Sequence, residues 1–115
     1  MFFSSKQQRF TVCVGHLLNY AHAKGYGLTF GDAFRDPRPF GEFGEAKSYA
    51  HRNSVHKLRL AVDLNLFVEG AYITDGMHVA YQDLGAFWKT LDDAARWGGD
   101  FRDANHFSFE HGGAK

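Results

Sequence analysis

The sequence predicts an α+β fold: a small antiparallel sheet flanked by helices. Three observations carry that expectation. An amphipathic 3–4 periodicity opens the chain, a strict apolar alternation occupies its middle, and a second 3–4 periodicity precedes a last short alternating run. With 115 residues, 44% of them hydrophobic and 12 of them Phe, the chain has apolar side chain enough for one domain spanning residues 1–115.

The elements follow in order. From about Ser5 to Lys24, Phe10, Val14, Leu17, Leu18 and Ala21 recur on one helical face. Ser4 or Ser5 would cap this helix and Gly25 would end it. Tyr26 to Phe34 alternates weakly and predicts a short strand. Arg35 to Ser54 holds both prolines, Pro37 and Pro39, with Gly41 and Gly44, and predicts a long functional loop with a short helix around Glu42 to Ala50. The clearest strand is Leu60 to Val68: Leu60, Val62, Leu64, Leu66 and Val68 share one face, and Ala61, Asp63, Asn65 and Phe67 share the other. Glu69-Gly70 suits a hairpin into a second strand, Ala71 to Ile73. Tyr81, Leu84, Trp88, Leu91 and Ala95 predict a helix from about Met77 to Trp97, stopped by Gly98-Gly99. The last strand is His106 to Glu110, with His106, Ser108 and Glu110 on one face and Phe107 and Phe109 on the other.

Composition narrows the function. Lys plus Arg is 13 and Asp plus Glu is 13, which argues against a dedicated nucleic-acid binder. The single cysteine, Cys13, excludes an intramolecular disulfide and a multi-cysteine zinc module. No stretch approaches the roughly 20 apolar residues that cross a bilayer. Met1 to Lys6 lacks the pattern of a secretory signal, so the expected location is a cytosol, unless another protein releases the chain. Seven histidines in this length point towards metal chemistry.

The histidines that matter surround one carboxylate. Asp63 stands in mid-strand on the face opposite the aliphatics, where a carboxylate faces water, is paired or binds a metal. His56 lies just before that strand, and His106 opens the last one. Two imidazoles and a carboxylate form a ligand set for catalytic zinc that leaves a fourth position open. Asp103 precedes His106 by three residues, and a tight turn there would bring it to the same cleft as a general base. His16, His22 and His78 need no such role, whereas His51 and His111 could line the cleft. Trp88, Trp97 and Phe101 read as core.

These residues carry a resemblance. Ser54-Val55-His56 with Ala61-Val62-Asp63, and Trp97-Gly98-Gly99 with Asp103 and His106-Phe107, are similar to the two motifs of the zinc peptidoglycan peptidases of the D-alanyl-D-alanine carboxypeptidase and L-alanyl-D-glutamate endopeptidase family. Vancomycin-resistance dipeptidases and many phage endolysins belong to that family. Together the motifs cover roughly half the chain, and the nearest likeness is to short phage endolysins. Arg59 stands where many members carry Gly after His-x-x.

The resemblance implies a hedgehog/DD-peptidase-like fold. It implies that His56, Asp63 and His106 bind Zn2+ and that Asp103 is the catalytic base and later the acid. It also implies that Arg35 offsets oxyanion charge, with Arg38 and Arg52 as rivals, and that Ser54 hydrogen-bonds within the site. The implied partner is the bacterial peptidoglycan stem peptide, cut by a monomer without nucleic acid or membrane. The expected bond is L-Ala–D-Glu, because Asp103 resembles the endolysin type where carboxypeptidases often carry Glu. D-Ala–D-Ala is the alternative, and a non-catalytic metal-binding structural domain is the contrasting reading. On the leading reading, the protein waits in a host cytoplasm until a separate pore protein releases it to the wall.

Overall fold

The computed structural model describes residues 3–31 and 55–115. Its elements are α1 (Phe3–Ala23), β1 (Tyr26–Gly31), β2 (Ala61–Val68), β3 (Ala71–Tyr72), α2 (Val79–Lys89), β4 (Ala95–Trp97), a 3-10 turn (Gly98–Phe101) and β5 (His106–Phe109). The five strands form one antiparallel sheet in the order β1-β2-β5-β4, with β3 also on β2. The fold is therefore α+β with a small antiparallel sheet, as the periodicities predict. The expected helix over Glu42 to Ala50, and Arg35, Arg38, His51, Arg52 and Ser54, lie outside the described residues.

Both strands on the far edge of β2 share it. β5 pairs with residues 61–63 and β3 with residues 67–68. Between them, the Leu64 N–H donates to the Asn105 carbonyl and the Ile73 N–H to the Leu66 carbonyl, so the chain diverges there without leaving those groups unmade. The β2–β3 connection is the expected hairpin. Glu69 and Gly70 both have positive φ, 52° and 81°, as a two-residue turn matched to strand twist requires.

The helices cover one face of the sheet. α1 buries Phe10, Cys13, Leu17 and Ala21, and α2 buries Ala80, Tyr81, Leu84 and Trp88. Trp88 centres this core. Its ring meets Phe10, Phe107 and Phe109 at 5.6, 6.0 and 5.8 Å, and its indole N–H reaches the Arg96 carbonyl of β4 at 3.0 Å. A buried indole thus finds both apolar contact and a hydrogen-bond acceptor.

Two boundaries differ from expectation. Ser4 and Ser5 lie inside α1, which begins at Phe3. The predicted helix from Met77 to Trp97 is α2 followed by strand β4. The break is local chemistry: the Asp92 side chain accepts the Ala94 N–H at 2.9 Å and its carbonyl accepts the Ala95 N–H at 3.0 Å, a turn that competes with helix. At the other end, His78 caps α2 by accepting the Ala80 N–H on Nδ1 at 3.0 Å.

Candidate metal centre

The sheet register brings the first two members of the site together. Asp63 of β2 is the direct partner of His106 of β5. In both strands the neighbouring apolar residues, Leu64 and Phe107, are buried, so Asp63 and His106 share the opposite face. A helical turn over residues 55–57 delivers His56. That turn is tied to β2 by the Leu60 N–H on the Val55 carbonyl at 2.9 Å and the Arg59 N–H on the His56 carbonyl at 3.0 Å. Val55 and Leu60 are fully buried and pin both ends. Arg59 between them adopts the left-handed region, φ 58°.

One ligand atom from each of His56, Asp63 and His106 lies within 4.8 Å of the others. His106 Nδ1 is 3.2 Å from Asp63 Oδ1, and His56 Nε2 is 3.4 Å from the same oxygen. Asp63 is 4% exposed and His106 is completely buried. Burial pushes the Asp63 carboxyl up, but the His106 and His56 imidazoles outweigh it and hold the carboxyl well below the usual carboxylate range.

The nitrogens are the informative atoms. His56 Nε2 is buried and has only the long 3.4 Å approach to Asp63, and His106 Nε2, the ring nitrogen that does not face Asp63, is buried and makes no hydrogen bond among the described residues. His56 Nε2 and His106 Nδ1 converge on the one oxygen Asp63 Oδ1, an arrangement that fits a cation bound between them. The donor set of two imidazoles and one oxygen anion suits a borderline divalent ion.

The segment that presents His106 explains the Trp-Gly-Gly sequence. Trp97 is buried, and its indole N–H donates to the Ala104 carbonyl at 2.7 Å, clamping the turn that leads into β5. The Gly98 carbonyl accepts the Asp103 N–H at 2.7 Å, and the Asp103 carbonyl accepts the His106 N–H at 3.0 Å. A Cβ on Gly98 would sit 2.0 Å from the Asp103 carbonyl oxygen and 2.7 Å from His106 Cβ, so only glycine fits. Asp103 is half-buried in this turn, three residues ahead of His106.

Some residues around the centre were not foreseen. Phe101, read as core, meets His106 edge-on at 5.9 Å. Asn105 Nδ2 donates to Asn65 Oδ1 at 3.3 Å, next to the Asp63–His106 pair in both strands. The period-2 pattern of β2 places Asn65 on the Asp63 face, which was the available signal. His111 does not join the cluster but packs with Phe3 and Lys6 at the start of α1. A larger cavity of 560 Å³, lined by His22, Tyr26, Leu28, Phe67 and Glu69 among others, lies at the opposite end of β2 and gathers no such ligand set.

No curated protein matches the chain significantly. A family model described as D-alanyl-D-alanine carboxypeptidase matches residues 48–109, more than half of the chain. The match takes in His56, Asp63, Asp103 and His106 together. Among the described residues, no helix is long and apolar enough to cross a membrane. With a buried cluster able to hold a metal ion and a family match that spans it, the chain belongs to the D-alanyl-D-alanine carboxypeptidase family of metal-dependent peptidases.

Proposed function

We propose that this protein is a zinc-dependent peptidoglycan peptidase of the phage endolysin type, hydrolysing the L-Ala–D-Glu bond of the stem peptide. The observation that carries this reading is the convergence of His56 Nε2 and His106 Nδ1 on the buried Asp63 carboxylate inside the matched region. These three residues would hold the ion. A zinc ion there supplies Lewis-acid polarisation of the scissile carbonyl and makes water a stronger acid.

The chain's own groups do the rest. Asp103 takes a proton from the attacking water and returns it to the leaving amine. Phe101 covers one side of His106 and keeps bulk water off it. Arg35, outside the described residues, would offset charge on the carbonyl oxygen. Cleavage of D-Ala–D-Ala is a second reading, favoured by the description of the matching family. The Asp at position 103 is the reason for placing L-Ala–D-Glu first.

Mass spectrometry of muropeptides digested by zinc-loaded and metal-free protein tests the proposal. A new amine end at D-Glu, formed only with zinc, is expected, together with lysis of permeabilised Gram-negative cells. Asp103→Ala should retain stoichiometric metal and lose about 10²-fold or more in turnover. No new amine end in either sample would leave a metal-binding domain without this activity, and a fully active, metal-replete Asp103→Ala would remove Asp103 from the mechanism.

A further inference from the structure

Where β5 and β3 part along the edge of β2, the sheet leaves a cavity of 280 Å³. Tyr72 and Thr74 line one side, Tyr81 of α2 closes it, and Arg102, Asp103 and Asn105 line the other. A second cavity of 230 Å³ lies beside it, and Arg102 lines both. Arg102 is the one cation among the described residues lining either cavity.

Arg102 differs from the arginines used for structure. Arg9 is tied to Asp92 at 3.3 Å and to the Leu91 carbonyl at 2.7 Å. Arg96 donates to the Asp93 and Ala95 carbonyls. Arg102 is exposed, and among the described residues its guanidinium has no hydrogen bond or ion pair. Its backbone is left-handed, φ 66° and ψ 34°, a conformation that favours glycine. A long cationic side chain thus occupies a position where the backbone alone would select none.

The chemistry of the proposed substrate gives this cation a partner, and the argument rests on the peptidase reading above. Both candidate bonds release a D-amino acid whose amine and free carboxylate stand on the same carbon. In the stem peptide D-Glu is linked onward through its γ-carboxyl, so its α-carboxylate is free, and terminal D-Ala carries its own. A group acting on the leaving amine therefore has a carboxylate one carbon away. Asp103 and Arg102 are adjacent in the chain and line the same cavity. We infer that this cavity is the subsite for the leaving D-amino acid residue and that Arg102 determines specificity by pairing with its α-carboxylate. A guanidinium is suited to that pairing because it offers two parallel donors to one carboxylate.

The test compares peptides bearing the free α-carboxylate with the same peptides as α-carboxamides. One pair is built on L-Ala–D-Glu and the other on D-Ala–D-Ala, so the pair that shows discrimination identifies the source of the carboxylate. Zinc-loaded wild type should prefer the carboxylate by about tenfold or more in kcat/KM. In Arg102→Gln that ratio should fall to about one, with hydrolysis of the carboxamide unchanged. Arg102→Gly, which relieves the positive φ and so folds at least as well, should lose the same preference.

Calorimetry on metal-free protein gives a readout independent of turnover. The carboxylate peptide should bind more tightly than the carboxamide to wild type and equally to Arg102→Gln. Hydrolysis with the preference intact in Arg102→Gln overturns the subsite and leaves the peptidase reading standing. Carboxylate-selective binding that depends on Arg102, without hydrolysis of any peptide, upholds the subsite and overturns the peptidase reading. Neither hydrolysis nor selective binding overturns both.

Discussion

Two carboxylates in this protein, Asp63 and Asp83, are held below the ordinary range by ring-bearing partners, yet they do different work. Asp83 of α2 accepts the Tyr20 hydroxyl at 2.5 Å and the Tyr26 hydroxyl at 2.8 Å, with the Lys24 ammonium at 3.5 Å. Burial raises its carboxyl and these donors outweigh it. The network joins α1, β1 and α2, and each hydroxyl spends its proton on the same carboxylate. Asp63 meets two imidazoles, His56 through Nε2 and His106 through Nδ1, and His106 keeps a buried Nε2 that makes no hydrogen bond among the described residues. The Asp83 network closes on itself, whereas at Asp63 two ring nitrogens crowd one carboxylate oxygen and a third, His106 Nε2, is left over. That surplus distinguishes a candidate ligand set from an ion pair that only braces the fold.

Metal addition should separate the two most strongly. An ion bound only by the folded state, at a free concentration about a hundred times its Kd, stabilises by about 2.7 kcal/mol. Thermal unfolding with and without zinc should show that gain in wild type and in Asp83→Asn, and none in Asp63→Ala or His106→Ala. An equal zinc-dependent rise in Asp63→Ala would place the ion elsewhere.

The turn that carries His106 should respond next. In Gly98→Ala the added methyl collides with the Asp103 carbonyl oxygen and with His106 Cβ. Overpacking against backbone costs about 2 kcal/mol. The same variant should lose zinc-linked stabilisation beyond that cost, because the displaced groups are those that aim His106. A wild-type zinc response in Gly98→Ala would show that His106 is positioned independently of this turn.

Asp83 should yield a smaller effect with a distinct dependence on pH. Its carboxyl is lowered by folding, so its contribution is present above the unfolded value of about 3.9 and is lost as pH falls through the folded value. Tyr26 has the opposite sign. Burial and then the Asp83 carboxylate push its hydroxyl up to about 12, so its contribution is present below about 10 and is lost as pH rises through about 12. Asp83→Asn should cost about 1 kcal/mol at neutral pH, given its partial exposure, and should flatten the acid limb of stability. Tyr26→Phe should flatten the alkaline limb between those values. An acid limb unchanged in Asp83→Asn would assign it to other carboxylates.

The same contrast explains what was readable from sequence. The alternation in β2 was legible because neighbouring residues differ sharply in chemistry: Leu64 and Leu66 go to the helices while Asp63 and Asn65 go to the other face. His56, Asp63 and His106 could be grouped by ligand type before any contact between them was known. The end of α2 was not legible, because Leu91 and Ala95 continue its 3–4 spacing past the turn at Asp92. Ala95 is buried through pairing with Phe109 in the sheet, which no helical period reports. The cavity at Arg102 was equally hidden, since it depends on two strands sharing one edge of β2. Trp97 read as core, and its clamp on the Ala104 carbonyl emerged only with the turn itself.

The smallest expected effect concerns the approach to the site. Arg59 has a side chain, and its backbone nonetheless takes the left-handed region, φ 58°, that favours glycine. That conformation costs a residue with a Cβ about 1 kcal/mol, and glycine returns about half of the gain through its greater freedom in the unfolded chain. Arg59→Gly should therefore stabilise the protein by about 0.5 kcal/mol. Since the Arg59 N–H still donates to the His56 carbonyl, the His56 turn and its zinc affinity should stay as they are. Stabilisation with an unchanged zinc titration would show that the strain at Arg59 is separable from the ligand set. Loss of zinc affinity in Arg59→Gly would show instead that the arginine side chain helps to aim His56, extending the difference from the Asp83 network into the loop before β2.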